Sequence, residues 1–199
     1  MYDVHLTKAF FPPQTDAELR DNTVGELLRE VAGRYPEATA LVDIALDGTV
    51  GREWNYRQLL ETSERLAGVL VSRFAPGERV VAWAPNIPEW LFLEYACAFS
   101  GLVLVTANPS FQEKELRYVL EQSGAVALFL VDSFRGNAMA DIAQKAIEGN
   151  GQIREVVNLE DETVLFKQGS KLADLPGVKP TDPAQIQYTS GTTGFPKGA

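Results

Sequence analysis

Cysteine and histidine are almost absent: Cys97 and His5 are the only ones among 199 residues. A single cysteine closes no internal disulfide, which excludes a disulfide-stapled secreted fold. One cysteine and one histidine are also too few ligands for a structural zinc site. Positive charge is scarce as well. Eighteen Lys and Arg stand against 27 Asp and Glu, a net charge of −9. That is the wrong sign for a nucleic-acid partner, whose phosphates call for a basic surface. No apolar run approaches the roughly 18 residues that a membrane-spanning helix needs. The longest, Ile87 to Phe99, is interrupted by Glu89 and Glu94 and reads as a buried helix. Residues Met1 to Lys8 show no apolar core behind a basic start, so a secretory signal is not expected and a cytoplasmic location is.

What is present is ordinary for a globular chain: 45% hydrophobic and 23% charged residues. At roughly 150 residues per domain, the length allows about one domain with some residues over. Alternation organises them. Thr23 and Glu26 form a capping box, followed by apolar residues at helical spacing until Pro36. Residues 39–44 and 50–54 read as strands joined by a hairpin turn at Asp47-Gly48. Asn55 and Gln58 cap a second helix, which Ala75-Pro-Gly77 ends. Short apolar runs then alternate with helices. Strand 80–84 leads to a helix capped by Asn86, and strand 102–107 to one opened by Ser110 and Glu113. Strand 125–131 leads to a helix over 138–148. Residues 153–159 and Val164-Leu-Phe166 are further strand candidates. The expected fold is α/β, a mostly parallel sheet flanked by helices, because continuous apolar strands separated by helices are buried on both faces. The expected divisions are an N-terminal arm (1–22), an α/β body (23–168), a linker (169–183) and a final strand feeding a loop (184–199).

That final loop, Thr189-Ser-Gly-Thr-Thr-Gly-Phe-Pro-Lys197, concentrates the chemistry. Glycines let successive backbone N–H groups turn toward an anion. Hydroxyls donate to phosphate oxygens, and a lysine supplies a compact charge. The spacing is neither that of a P-loop nor that of a dinucleotide fingerprint. On composition alone it is a phosphate loop of some kind or a solvated Gly/Thr-rich turn.

Tyr188-Thr-Ser-Gly-Thr-Thr-Gly-Phe-Pro-Lys-Gly198 closely resembles the signature loop of the AMP-forming adenylate ligases, the superfamily of acyl-CoA synthetases, luciferases and peptide-synthetase adenylation domains. Other segments agree in order: Trp54 to Leu59, Gly77 to Val80, Ala107-Asn-Pro109 with Glu115-Leu116, and Asp182-Pro-Ala184. Asn86-Ile-Pro-Glu-Trp90 resembles the acyl-CoA synthetase branch in particular. The resemblance implies the first subdomain of the ligase N-terminal domain, ending after the phosphate loop. It implies a reaction in which a fatty or other carboxylic acid is activated by ATP as acyl-adenylate and passed to coenzyme A. The β- and γ-phosphates would be held by Thr189, Ser190, Gly191, Thr192, Thr193, Gly194 and Lys197. In that family the Mg²⁺ ligand, the adenine and ribose contacts, most of the acyl pocket and the catalytic lysine all follow this loop. No catalytic residue is therefore expected here, Lys197 included, and the chain alone is expected to be inactive. Peripheral contact with a membrane surface stays open.

Rival readings are a non-catalytic nucleotide- or partner-binding module, an adenylation domain of another branch, and a plain structural piece with an unpaired strand at 184–189. Cys97 reads as buried packing, with no base or cation near it in sequence. Trp54, Trp83 and Trp90 read as core, Glu160-Asp-Glu162 as a solvated turn, and His5 and Phe10-Phe-Pro-Pro13 as parts of the arm.

Overall fold

The computed structural model describes Thr7 and residues 19–45, 47–166, 175–189 and 196–199. His5 and Phe10 to Pro13 lie outside them. Helix α1 (Val24–Arg34) opens on the expected box: Thr23 Oγ1 accepts from Glu26 N at 3.1 Å, and Glu26 accepts from Thr23 N at 2.8 Å. Strands β1 (Thr39–Ile44) and β2 (Val50–Asn55) pair antiparallel. Their turn uses Gly48 at φ +86°, a conformation glycine adopts without strain. Helix α2 (Tyr56–Val71) begins with the Asn55–Gln58 box.

Beyond α2 run β3 (Arg79–Trp83), α3 (Pro88–Ser100), β4 (Val103–Thr106), α4 (Glu113–Ser123) and β5 (Ala127–Leu130). Then follow α5 (Met139–Ile147), β6 (Glu155–Asn158), α6 (Glu162–Leu165), β7 (Gln185–Thr189) and β8 (Lys197–Gly198). Three local expectations are corrected. The residue preceding α3 is Ile87, without a side-chain cap, rather than Asn86. Pro88 at the first helical position has no N–H to satisfy, which lowers the need for one. For α4 the start moves to Gln112, whose N–H is taken by Glu115 at 2.9 Å. Ser110 is instead engaged by Asn108 Oδ1, at 2.9 Å from its N and 2.7 Å from its Oγ. Val164 to Phe166 is no strand. Asp161 accepts from the N–H groups of Thr163 (3.0 Å) and Val164 (3.3 Å), and so opens the one-turn helix α6. The Thr163 hydroxyl and N–H hold the Asp161 carboxyl below its ordinary range.

One sheet has the order β6-β5-β3-β4-β7-β8, parallel throughout except for the last pair. Stepping from β3 to β4 and then back across β3 to β5 reverses direction. With right-handed crossovers, α3 must cover one face and α4 and α5 the other. The packing agrees: α3 meets α1 and α2, whereas α4 meets α5. Both faces of the central strands are thereby sealed. Val80, Val81, Ala82 and Trp83 of β3 are buried, as is every residue of β5. Each large apolar side chain so placed contributes about 1.5–3 kcal/mol. Strand β7 is paired with β4 on one side and β8 on the other, so it is not the unpaired edge of the structural-piece reading.

The β1–β2 hairpin is tied to the start of α3. Arg52 Nη1 lies 2.8 Å from the nearly buried Glu89, and Trp54 packs edge-on to Phe92 at 5.3 Å. Cys97 is fully buried on α3, and burial pushes its thiol far above the ordinary range, which leaves it a small hydrophobe.

Candidate functional site

Open parallel sheets bind ligands beyond the carboxyl ends of their strands, where the following connections part. Here the chain leaves β3 for one face and β4 for the other. Between them lies a crevice of about 380 Å³ at the carboxyl ends of β3, β4 and β7. Ala84, Asn86 and Trp90 line it from the β3–α3 connection, and Thr106 to Pro109 with Phe111 from β4 and its loop. Tyr188, Thr189 and Pro196 complete the wall.

The β4–α4 loop is held by hydrogen bonds from several elements. Trp83 is fully buried, yet its indole N–H reaches the Asn108 carbonyl at 2.9 Å. Asn137 donates to the Pro109 carbonyl at 3.3 Å and accepts from Gln112 Nε2 at 2.9 Å. Asn108 thus fastens the loop twice, through its carbonyl to Trp83 and through its side chain to Ser110.

The expected phosphate-loop residues fall into three groups. Thr189 ends β7 on the crevice wall. Lys197 lies opposite it on β8, exposed and away from that wall; the Thr189 hydroxyl reaches its carbonyl at 3.5 Å. Ser190, Gly191, Thr192, Thr193 and Gly194 lie outside the described residues. The pairing of β7 with β8 brings Thr189 and Lys197, which bracket that segment, side by side, with Thr189 on the crevice wall. Gly198 makes this pairing close. A Cβ there would sit 2.9 Å from Ile186 Cγ2 and 3.2 Å from Tyr188 Cζ. Its absence lets β8 lie flat against β7.

Neutral polar groups and aromatic rings, rather than charges, make the described wall. Burial, with Tyr118 nearby, raises the Tyr188 phenol above its ordinary range and keeps it a hydrogen-bond donor. Among the described residues no three His, Cys, Asp or Glu groups gather where a metal ion could be held, Glu160 to Glu162 included. Mg²⁺ is usually held by one or two carboxylates together with substrate phosphates, and no Asp or Glu stands among the described residues of the crevice wall. Trp83 is core as expected; Trp54 and Trp90 are half-buried and packed against that core, and Trp90 also lines the crevice wall. Sequence patterning missed Trp90, Thr106 and Phe111. Thr106 ends β4, Phe111 lies in the loop that follows it and Trp90 in the first turn of α3, so the available signal was their place around the carboxyl ends of β3 and β4.

Comparison with known proteins agrees with this architecture. The family model of AMP-binding enzymes matches residues 28–199. YngI of Bacillus subtilis is 33% identical over 210 residues, covering 92% of this chain and 38% of that protein. The human mitochondrial medium-chain acyl-CoA ligase ACSF2 is 31% identical, covering 93% of this chain and 34% of its own. The inhibitor-bound N-terminal domain of FACL13 from Mycobacterium tuberculosis superposes with a TM-score of 0.73 at 28% identity. That match covers 88% of this chain and 43% of that one. The chain therefore spans little more than a third of the length of these curated relatives.

Proposed function

Because the chain belongs to the AMP-binding enzyme family, we propose that it is the phosphate-binding part of an ATP-dependent acid–thiol ligase acting on a fatty or other carboxylic acid. In this reading a carboxylate oxygen attacks the α-phosphorus of ATP, the α–β bond breaks, and pyrophosphate leaves. The sulfur of coenzyme A then attacks the acyl carbon and AMP departs. Neither step needs a protein nucleophile. The protein's part is positioning and stabilisation of developing charge.

The observation that carries the reading is the β7–β8 pairing, which sets Thr189 and Pro196 on the wall of the crevice. Between them runs the Gly- and hydroxyl-rich segment. The hydroxyls of Thr189, Ser190, Thr192 and Thr193 and the backbone at Gly191 and Gly194 would hold the β- and γ-phosphates. Lys197 would supply the cation. Division into arm, body, linker and loop, and a cytoplasmic location, belong to the same proposal. The Mg²⁺ site, the adenine and ribose contacts and the acyl pocket are assigned to none of the described residues. The 199 residues by themselves are accordingly expected to bind phosphate without turnover.

Calorimetric titration with inorganic pyrophosphate tests the reading. The chain is expected to bind, and Lys197→Ala to weaken binding about tenfold, the usual worth of a hydrogen bond to a charged group. Failure of the unsubstituted chain to bind, or an unchanged affinity in Lys197→Ala, refutes it. Acid-dependent ATP–pyrophosphate exchange, in a longer protein carrying the further segments its relatives possess, tests the ligase activity itself.

A further inference from the structure

Resting on the phosphate reading above, we propose that Tyr118 and Gln122 of α4 are positioning residues that fix the two arms of the β7–β8 hairpin at the crevice. They lie one helical turn apart, so they share a face of α4. Each secures a different arm. The Tyr118 hydroxyl donates to the Pro196 carbonyl at 3.1 Å, at the foot of the returning arm. The Tyr188 hydroxyl, on the outgoing arm, donates to Gln122 Oε1.

The hairpin needs such a fixture. β8 is two residues long, exposed, and at the edge of the sheet. Among the described residues its ladder extends to the reciprocal bonds of Gln187 with Ala199, at 2.9 and 3.0 Å. An isolated two-stranded pairing is marginally stable in water, and β8, unlike β7, has a strand partner on one side alone among the described residues. Pro196 has no N–H, so its carbonyl is its one backbone hydrogen-bonding group, and Tyr118 takes it.

The fixture is itself rigid. At its start α4 joins the crevice loop through Gln112 and Asn137. On its flank Arg117 donates to the Glu148 carbonyl at 2.7 Å, where α5 ends. Leu116, Val119 and Leu120 are fully buried beneath it. A site that grips an anion must hold its donors within about 0.5 Å of their working positions. Here the separation and pitch of the two arms are set by side chains one turn apart on an anchored helix. Neither residue lines the crevice, so they act through the hairpin and not on the ligand.

The test uses the 199-residue chain with Tyr118→Phe, Gln122→Leu and Tyr188→Phe, each checked by thermal melting. Amide exchange without ligand is read first. Tyr118→Phe should speed exchange over residues 196–199 about five- to tenfold, the usual worth of one hydrogen bond, while β3 and β5 stay as protected as before. Pyrophosphate affinity should fall by a similar factor in Tyr118→Phe and in Gln122→Leu, with the melting temperature nearly unchanged. Gln122→Leu combined with Tyr188→Phe should be no worse than either alone, since both remove one bond. Unaltered exchange over 196–199 in Tyr118→Phe overturns the proposal whatever the ligand does. So does an affinity that falls only in step with the melting temperature. If the unsubstituted chain binds no pyrophosphate, the phosphate reading fails, and the exchange measurement still decides the fixture.

Discussion

Two glycines in α1 should respond to the same substitution with opposite sign. In a helix, alanine is better than glycine by about 1 kcal/mol. At Gly33 a Cβ would meet nothing within 4 Å. Gly33→Ala near the helix end should therefore stabilise the protein by about 0.5–1 kcal/mol. At Gly25 a Cβ would lie 2.6 and 2.7 Å from two ring carbons of Phe99. Carbon atoms prefer about 3.5–4.0 Å, so the ring must retreat by nearly 1 Å. It has little room. Phe99 is 4% exposed, and the Arg29 guanidinium, itself paired with Glu64 at 2.7 Å, sits 4.6 Å from its centre. Overpacking of this kind costs about 1–3 kcal/mol, and a ring held on both sides places Gly25 at the upper end. Less the helical gain, Gly25→Ala should lose about 2 kcal/mol. In a chain of this size that lowers the melting temperature by about 4–8 °C, whereas Gly33→Ala raises it by about 1–4 °C. Circular-dichroism melts of both variants measure the difference, and Phe99→Leu should recover part of the loss in Gly25→Ala. A Gly25→Ala protein melting at or above the parent would refute the argument that α1 and α3 are in rigid contact.

Two further outcomes follow from buried polar groups. Trp83→Phe keeps an aromatic ring but removes the donor to Asn108, and should cost about 1–3 kcal/mol in urea denaturation; no loss would mean that the bond does not secure the crevice loop. Burial raises the Glu94 carboxyl above its ordinary range. Its ionised form therefore penalises folding above the folded-state pKa, and the penalty vanishes below the unfolded value of about 4.3. Glu94→Gln should be the more stable protein at pH 7.5, with the gap closing as the pH falls toward about 4. A gap that stays constant with pH would contradict this.

Much of the fold was legible because its signals are local or periodic. The Thr23–Glu26 and Asn55–Gln58 boxes stand where their spacing puts them, and the continuous apolar runs of β3 and β5 are buried on both faces. The misreadings at Asn86, Ser110 and Val164 share a cause. Each is a competition between adjacent polar groups for the same few N–H donors, and the winner depends on backbone angles that residue types do not encode. Of the expected site residues, Thr189 and Lys197 fall within the described structure, and only Thr189 lines the crevice.

The sequence by itself determined the α/β alternation, the caps that obey spacing, and the loop whose residues suit an anion. All of these are written along the chain within a few residues of one another. Tertiary structure alone decided that β4 and β7 lie side by side although about 80 residues separate them. It alone placed Tyr118 beneath Pro196, and it alone opened a crevice where the connections from β3 and β4 part. Contacts between distant residues are chosen by the packing of whole faces, and no local pattern records which faces will meet.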